Sequence, residues 1–586
     1  MLLPHSARYR GTLVSVLGSL VVLMLILSGC ASGQLSEMGT EQSTDPYRKA
    51  RAQNLNHHVS NIFEPTPEVI ADEDRSGVEV AQRFFDTSSA VVVSSGDISA
   101  QLRAASLAVV THAPMLTMNE NNRQAVVSEI NRLGAQYVLS VGDVPLANTA
   151  GDTNVIVDPG GLAALGTMTS LQFYPKQITY ADKVVAAVAA LEPEHVSYLI
   201  PGWFDDDTKE KLLADAHPQT TDRKQHTVAA FPVQSKRDAD MSPVVIASEQ
   251  SSIAAVATAR AFGAAVRTMP LPDPRFSRET MRMVAGLANA PLIALGAQFG
   301  SAQQLRERIS IGENITTEIA GGGGLVFPQR ALIMKHVPLS VEATAARSRE
   351  ENTTAIADAV VMAKKQASAF ARTHVGTVVP GLEIALGNVF ALDTQQPSFS
   401  PELVAHAVNE MVAQHGYIFL RITPYAGKLV EQLARIEDML SGANVSVIID
   451  MDSAEQPIEA QELNRAISWL ARLCEDKKIP QKTLVIAQSS VNPIADAAHI
   501  DTDSAYVSVT IVAEFFAEGN YGFVSWEEAK QRFGQIVAGY QQTGKNFYYG
   551  WVVDNVLGQA RRSTEENFFS SAEFSQLSPY PWLILG

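Results

Sequence analysis

Short apolar runs alternate with helical stretches along most of this chain. Ala90-Val-Val-Val-Ser94 is a β-branched run ending in Ser95-Gly96-Asp97, a strand-to-turn signal. Leu102 to Val110 has helical spacing, and His112-Ala113-Pro114 stops it. Met115-Leu-Thr-Met118 reads as a second strand. Asn121 to Leu133 is an amphipathic helix with Gly134 at its C-terminal end, and Gln136 to Val141 is a third strand. The order βαβαβ implies a parallel sheet. It returns at Pro243–Ser248, Ile253–Phe262, Val266–Met269, Ser277–Ala288 and Ala290–Gly296. Between the copies, Ala181–Leu191 and Val196–Ile200 fit part of a third, worn copy, so this stretch is a Rossmann-like α/β repeat region. Ordered structure is expected from Val78, and residues 30–77, polar and without periodicity, read as a tether.

A different pattern opens the chain. Arg8 and Arg10 precede the apolar run Leu13–Leu27, which is shorter than the ~20 residues that span a bilayer, and small residues then lead to Cys30. Leu27-Ser28-Gly29-Cys30 resembles the lipobox of bacterial lipoproteins. That resemblance implies a signal peptide over 1–29, a diacylated Cys30 as the mature N-terminus, and a place on the outer face of the membrane. Two acyl chains anchor durably where one does not. The other cysteine, Cys474, has no partner left for a disulfide and lies in an apolar helical stretch, so it reads as a small buried hydrophobe. The formal net charge of −17 argues against nucleic acid as a partner and against lying flat on anionic lipid.

The motifs Val91-Val-Val-Ser-Ser-Gly-Asp97, Ala113-Pro-Met-Leu116 and Arg132-Leu-Gly-Ala135, running on to Val141-Gly142, resemble the type-2 cell-wall-binding repeat. The match covers about 60 residues well and Val244–Gly296 moderately. It implies a Toprim-like α/β fold over 78–318 and non-covalent attachment to wall glycan or anionic wall polymer. The chain departs from the pattern in a shorter stretch after Asp97 and in the eroded middle copy.

Gly321–Gly324 marks a boundary and reads as a hinge, since no Gly-Lys-Ser/Thr follows to make a phosphate loop. Beyond it, eight strands are expected: Ala331–Met334, Thr377–Ile384, Tyr417–Ile422, Val445–Ile449, Thr483–Ile486, Tyr506–Val512, Phe547–Trp551 and Trp582–Leu585. Helical stretches separate them. Eight βα units over 319–586 match a TIM barrel, whose sites lie at the C-terminal strand ends. Those ends offer Glu383, Asp450, Asp452, Gln488, Glu514 and Trp551. Glu383 with Asp450 or Asp452 could flank a glycosidic bond. Gln488, Glu514 and Trp551 are candidates for ligand contacts, although the run Phe547–Trp551 fits strand core equally. His336, His374, His406, His415 and His499 are expected in turns or on helices without metal-ligand spacing, so no metal and no cofactor is indicated.

Gly322-Gly-Gly-Leu-Val-Phe-Pro-Gln-Arg330, Val379-Pro-Gly-Leu-Glu-Ile384, Glu462-Leu-Asn464, Ile479-Pro-Gln-Lys482 and Gly550-Trp551 together resemble a family of actinobacterial surface lipoproteins that pairs such a repeat region with a barrel. Against that family, strand three ends in Arg421-Ile-Thr423 in place of Asp-Leu-Gln, Asp450-Met-Asp-Ser-Ala454 replaces Asp-Pro-Glu-Trp-Arg, Ala487-Gln-Ser489 replaces His-Gln-Phe, and the Gly-Glu-Gln after strand one is missing. An Arg421–Asp450 ion pair would spoil Asp450 as a general acid. The expectation is a non-catalytic envelope protein that binds wall glycan or polymer and positions or regulates a wall enzyme. A glycoside hydrolase and a protein-interaction scaffold stand as the alternatives.

Overall fold

A computed structural model describes residues 45–146, 153–214, 229–235, 241–390, 398–492, 494–515, 524–553, 556–557 and 571–586. The signal segment and Cys30 lie outside the described residues. Lys49–Gly586 forms one compact unit. Among the described residues no helix is long and apolar enough to cross a membrane.

The strands are numbered along the chain. β2 (Ala90–Ser94), β3 (Met115–Thr117), β4 (Tyr137–Val141) and β5 (Asn154–Val157) form a parallel sheet in the order β3-β2-β4-β5. β8 (Val244–Ser248), β9 (Val266–Met269) and β10 (Leu292–Leu295) repeat that arrangement as β9-β8-β10, and the fourth place falls to β1 (Pro67–Ile70). β6 (Tyr174–Ile178) and β7 (Ser197–Pro201) form a separate parallel pair joined through the helix Val184–Ala189, which is the worn middle copy. The β-branched runs β2 and β8 are buried along their whole length, as strands covered on both faces are.

The copies meet through their first helices. Ile98–Thr111 and Ile253–Phe262 are almost entirely buried and rich in alanine, which lets their backbones come close. Thr258 accepts from the Met115 amide (3.0 Å) and donates to the Met115 carbonyl (2.8 Å), while Ser106 accepts from the Leu199 amide (3.0 Å). These hydroxyls satisfy strand backbone that no neighbouring strand reaches. β1 corrects the expected tether. Part of residues 30–77 is folded: the chain is helical from Arg48 to Leu55, Asn54 donates to the Ala285 carbonyl (2.8 Å), and β1 closes the second sheet. The strand was not visible locally because four residues carry no period and their partner lies far downstream.

The second half is a closed barrel of parallel strands: β11 (Arg330–Pro338), β12 (Thr377–Gly387), β13 (Tyr417–Ile422), β14 (Val445–Asp450), β15 (Lys482–Gln488), β16 (Val507–Ala513), β18 (Tyr548–Val552) and β20 (Leu583–Leu585). The small pair β17 (Val524–Ser525) and β19 (Val556–Leu557) lies outside it. This is a TIM barrel, as the eight apolar runs indicated. Side chains alternate along each strand. Leu332, Met334, Val379, Tyr417, Phe419, Ile448, Val485 and Val512 form an inner cluster, while Ile333, Leu382, Leu420, Val447, Leu484, Ile486 and Ile511 join the helix layer.

The floor of the barrel corrects the expected hinge. Gly321, Gly322 and Gly323 have positive φ (85°, 90° and 72°), and a Cβ on Gly323 would stand 2.0 Å from the Phe276 carbonyl oxygen. Arg330, buried, donates to the carbonyls of Leu325 and Gly322. The Gly324 amide donates to the Arg275 carbonyl (2.8 Å) and the Gln481 amide to Gly324 (3.0 Å). Arg275 in turn donates to the Ala505 carbonyl (2.5 Å). The glycines permit a tight, packed crossing between the repeat region and the barrel floor.

Candidate functional site

Period two decides which strand-end residues enter the barrel. Counting from the inner residues Leu332, Val379, Phe419, Ile448 and Val512 places His336, Glu383, Arg421, Asp450 and Glu514 on the inner face at the C-terminal end. Arg421 stands among them. Its Nε and Nη2 reach Asp450 Oδ2 at 3.0 Å each, Nη1 donates to Glu383 Oε1 at 3.1 Å, and Nη2 meets Glu514 Oε1 at 2.6 Å. His336 Nδ1 lies 3.5 Å from Glu383 Oε2. The guanidinium is 15% exposed, and the Glu383 and Glu514 side chains are 4% exposed.

Buried carboxylates require a partner, and a planar guanidinium serves several at once. Glu383 is occupied on both oxygens. Asp450 gives Oδ2 to Arg421, and its Oδ1 accepts from the Ser453 amide (3.3 Å). Burial raises the Glu383 carboxyl, but His336 and Arg421 outweigh it and hold the group below the ordinary carboxylate value. Glu514 behaves oppositely. Burial, opposed by Arg421 and reinforced by the charges of Asp450 and Glu383, pushes it from 4.5 up to about 7. Arg421, despite burial, is held charged by the three carboxylates.

The remaining candidates are placed elsewhere. Asp452 is exposed in the turn after β14, accepts from the Ser489 amide (2.7 Å), and its carboxyl is raised by desolvation from the neighbouring protein. Gln488 shares the outward parity of Leu484 and Ile486. Its amide donates to the carbonyls of Ser490 (2.8 Å) and Asn492 (3.2 Å) and accepts from Tyr540 (2.6 Å). Trp551 also points outward, is 0% exposed, and packs among Phe515, Trp526, Phe533 and Phe574. Neither presents a free surface to a ligand, which corrects the expectation for Gln488 and favours the strand-core alternative for Trp551. Their apolar neighbours on both strand faces hid the parity. His336 lies on β11, neither in a turn nor on a helix as expected, because the strand runs four residues past Met334. Cys474 is buried, and burial raises its thiol to about 11.

No protein-family model matches the sequence, and no curated protein matches it. Among solved structures, the chain is similar to an endo-β-mannanase/endo-β-glucanase from Prevotella bryantii, at 6% identity and a TM-score of 0.27, over 53% of this chain and 53% of that one. The matched part spans about half of each chain, and a likeness this slight says nothing about the site.

Proposed function

We propose that this chain is a lipid-anchored protein of the bacterial cell envelope, carried on the outer membrane face by Cys30, that binds wall glycan or wall polymer without cleaving it. The observation behind the non-catalytic reading is the single guanidinium of Arg421 standing among Glu383, Asp450 and Glu514. Glycoside cleavage needs one carboxyl free to give a proton and another free to attack or to activate water. Here Glu383 and Asp450 have their oxygens committed, and Arg421 fills the space between the carboxylates. The lipobox-like segment supports the anchor, and the wall-binding-repeat motifs support the choice of ligand. A wall enzyme positioned or regulated by the protein fits the same reading.

The test is co-sedimentation of the full chain carrying Cys30→Ala with purified actinobacterial cell wall. Retention in the pellet is expected, and equal recovery with and without wall contradicts the proposal. One observation favours a glycoside hydrolase as the second reading: a carboxyl that keeps its proton to about pH 7, as Glu514 does, suits a general acid. That reading requires turnover that depends on Glu514.

A further inference from the structure

The outside of the barrel carries cations that the fold leaves unneutralised. The helix Leu429–Arg435 after β13 and the helix Ala460–Lys477 after β14 enclose a groove of about 490 Å³, lined by Lys428, Glu431, Gln461, Arg465, Ser468 and Arg472 among others. Arg465, Ser468 and Arg472 recur at i, i+3 and i+7 and so share one face of their helix, opposite the buried Leu463, Ala466, Ile467, Leu470 and Leu473. Among the described residues, Arg465 and Arg472 make no ion pair and no hydrogen bond, and both are exposed.

The groove is shaped from beneath. Both oxygens of buried Glu462 are taken by backbone amides, those of Gly427 (2.8 Å) and Leu429 (3.0 Å), which sets the turn that brings Lys428 to the rim. The Lys428 ammonium lies over the rings of Tyr425 (5.6 Å) and Phe390 (5.9 Å). Two unpaired guanidinium groups, Arg465 and Arg472, therefore line the groove with Lys428 at its rim, against one carboxylate without a partner among the described residues, Glu431, on a chain whose net charge is −17.

Guanidinium forks match the oxygens of phosphate groups. Arg465 and Arg472 stand seven residues, ~10.5 Å of helix axis, apart on one face. With both side chains extended from the helix, a ligand carrying anionic groups in series engages the two forks at once. The concave form suits a chain more than a flat bilayer surface, and the lining has no aromatic side chain on which a base could stack. We infer that this groove binds a linear polymer bearing phosphate groups in series, outside the barrel mouth. The extracytoplasmic source of such a polymer rests on the envelope placement proposed above; the binding itself does not.

Inorganic polyphosphate of several tens of units is the probe, with orthophosphate as its control, titrated calorimetrically into the full chain carrying Cys30→Ala. Polyphosphate is expected to bind at least ~10-fold more tightly than orthophosphate, with affinity falling as salt rises. The double variant Arg465→Glu/Arg472→Glu should lose ~10-fold or more, and Glu431→Gln should tighten binding several-fold, since it removes the opposing charge. Opposite signs from the two variants separate electrostatic recognition from damage to the fold. Unchanged affinity in the double variant, or weakening by Glu431→Gln, overturns the proposal. So does equal or tighter binding to phosphatidylglycerol vesicles or to single-stranded DNA, which would make the partner a bilayer or a nucleic acid. Failure here leaves wall co-sedimentation untouched, and failed co-sedimentation leaves the groove untouched.

Discussion

At the scale of single residues, Arg421 sets the chemistry of the mouth. Removing it would leave three carboxylates in a poorly hydrated space without their cation. Arg421→Ala should destabilise the barrel by ~3–5 kcal/mol near neutral pH, read as the shift in urea unfolding followed by tryptophan fluorescence. The loss should shrink in acid, where the carboxylates are protonated and need no partner. A cost that does not change with pH would show that Arg421 acts by packing alone. Glu514 carries a separate pH signature. Its folded value of about 7 exceeds the ordinary 4.5, so the native state holds the proton after the unfolded state has lost it. Its contribution is therefore fully present below pH 4.5 and falls as pH rises to 7, by ~3 kcal/mol in all, and then levels off. In Glu514→Gln that slope should vanish from the stability curve, so that the difference between the two curves carries it. An unchanged slope would place the titration on another group.

At the scale of elements, alternation along the strands explains both what could be read in advance and what could not. The eight barrel strands were legible because each is an apolar run bounded by turn residues, and the parallel repeats because strand and helix periods switch in a fixed order. The Arg421–Asp450 pair was legible too, since neighbouring strands end level with one another. Which face Gln488 and Trp551 take is not legible because β15 and β18 are apolar on both faces, and only the closed barrel settles which face is inner. β1 was missed because its evidence is a partner strand far away in the chain. The glycine crossing was read as flexible because composition reports freedom and not packing. Gly323→Ala should cost ~3 kcal/mol or more, since its φ is positive and the added Cβ meets a carbonyl oxygen. Gly322→Ala, with the same backbone strain and open space, should cost only ~1 kcal/mol. Equal small costs at both sites would restore the hinge.

At the scale of the whole molecule, the repeat region closes the barrel floor and leaves the mouth at the opposite end. The floor is built from Arg275, Gly321–Gly324 and Arg330, so the two halves are joined by hydrogen bonds from the Arg275 side chain and from the Gly324 and Gln481 amides and not by a free linker. A protein held by a lipid at Cys30 would then offer three separate surfaces to the wall: the repeats, the groove beside Arg465 and Arg472, and the acidic mouth. Arg421 holds Glu383 and Asp450 in ion pairs, and a mouth so occupied is proposed not to cleave glycan. The most direct measurement is the release of reducing ends when the full chain carrying Cys30→Ala is incubated with purified wall glycan and with soluble β-glycans, beside the same chain carrying Glu514→Gln. No release above buffer is expected from either protein. Steady release by the first that disappears in the second would contradict the proposal.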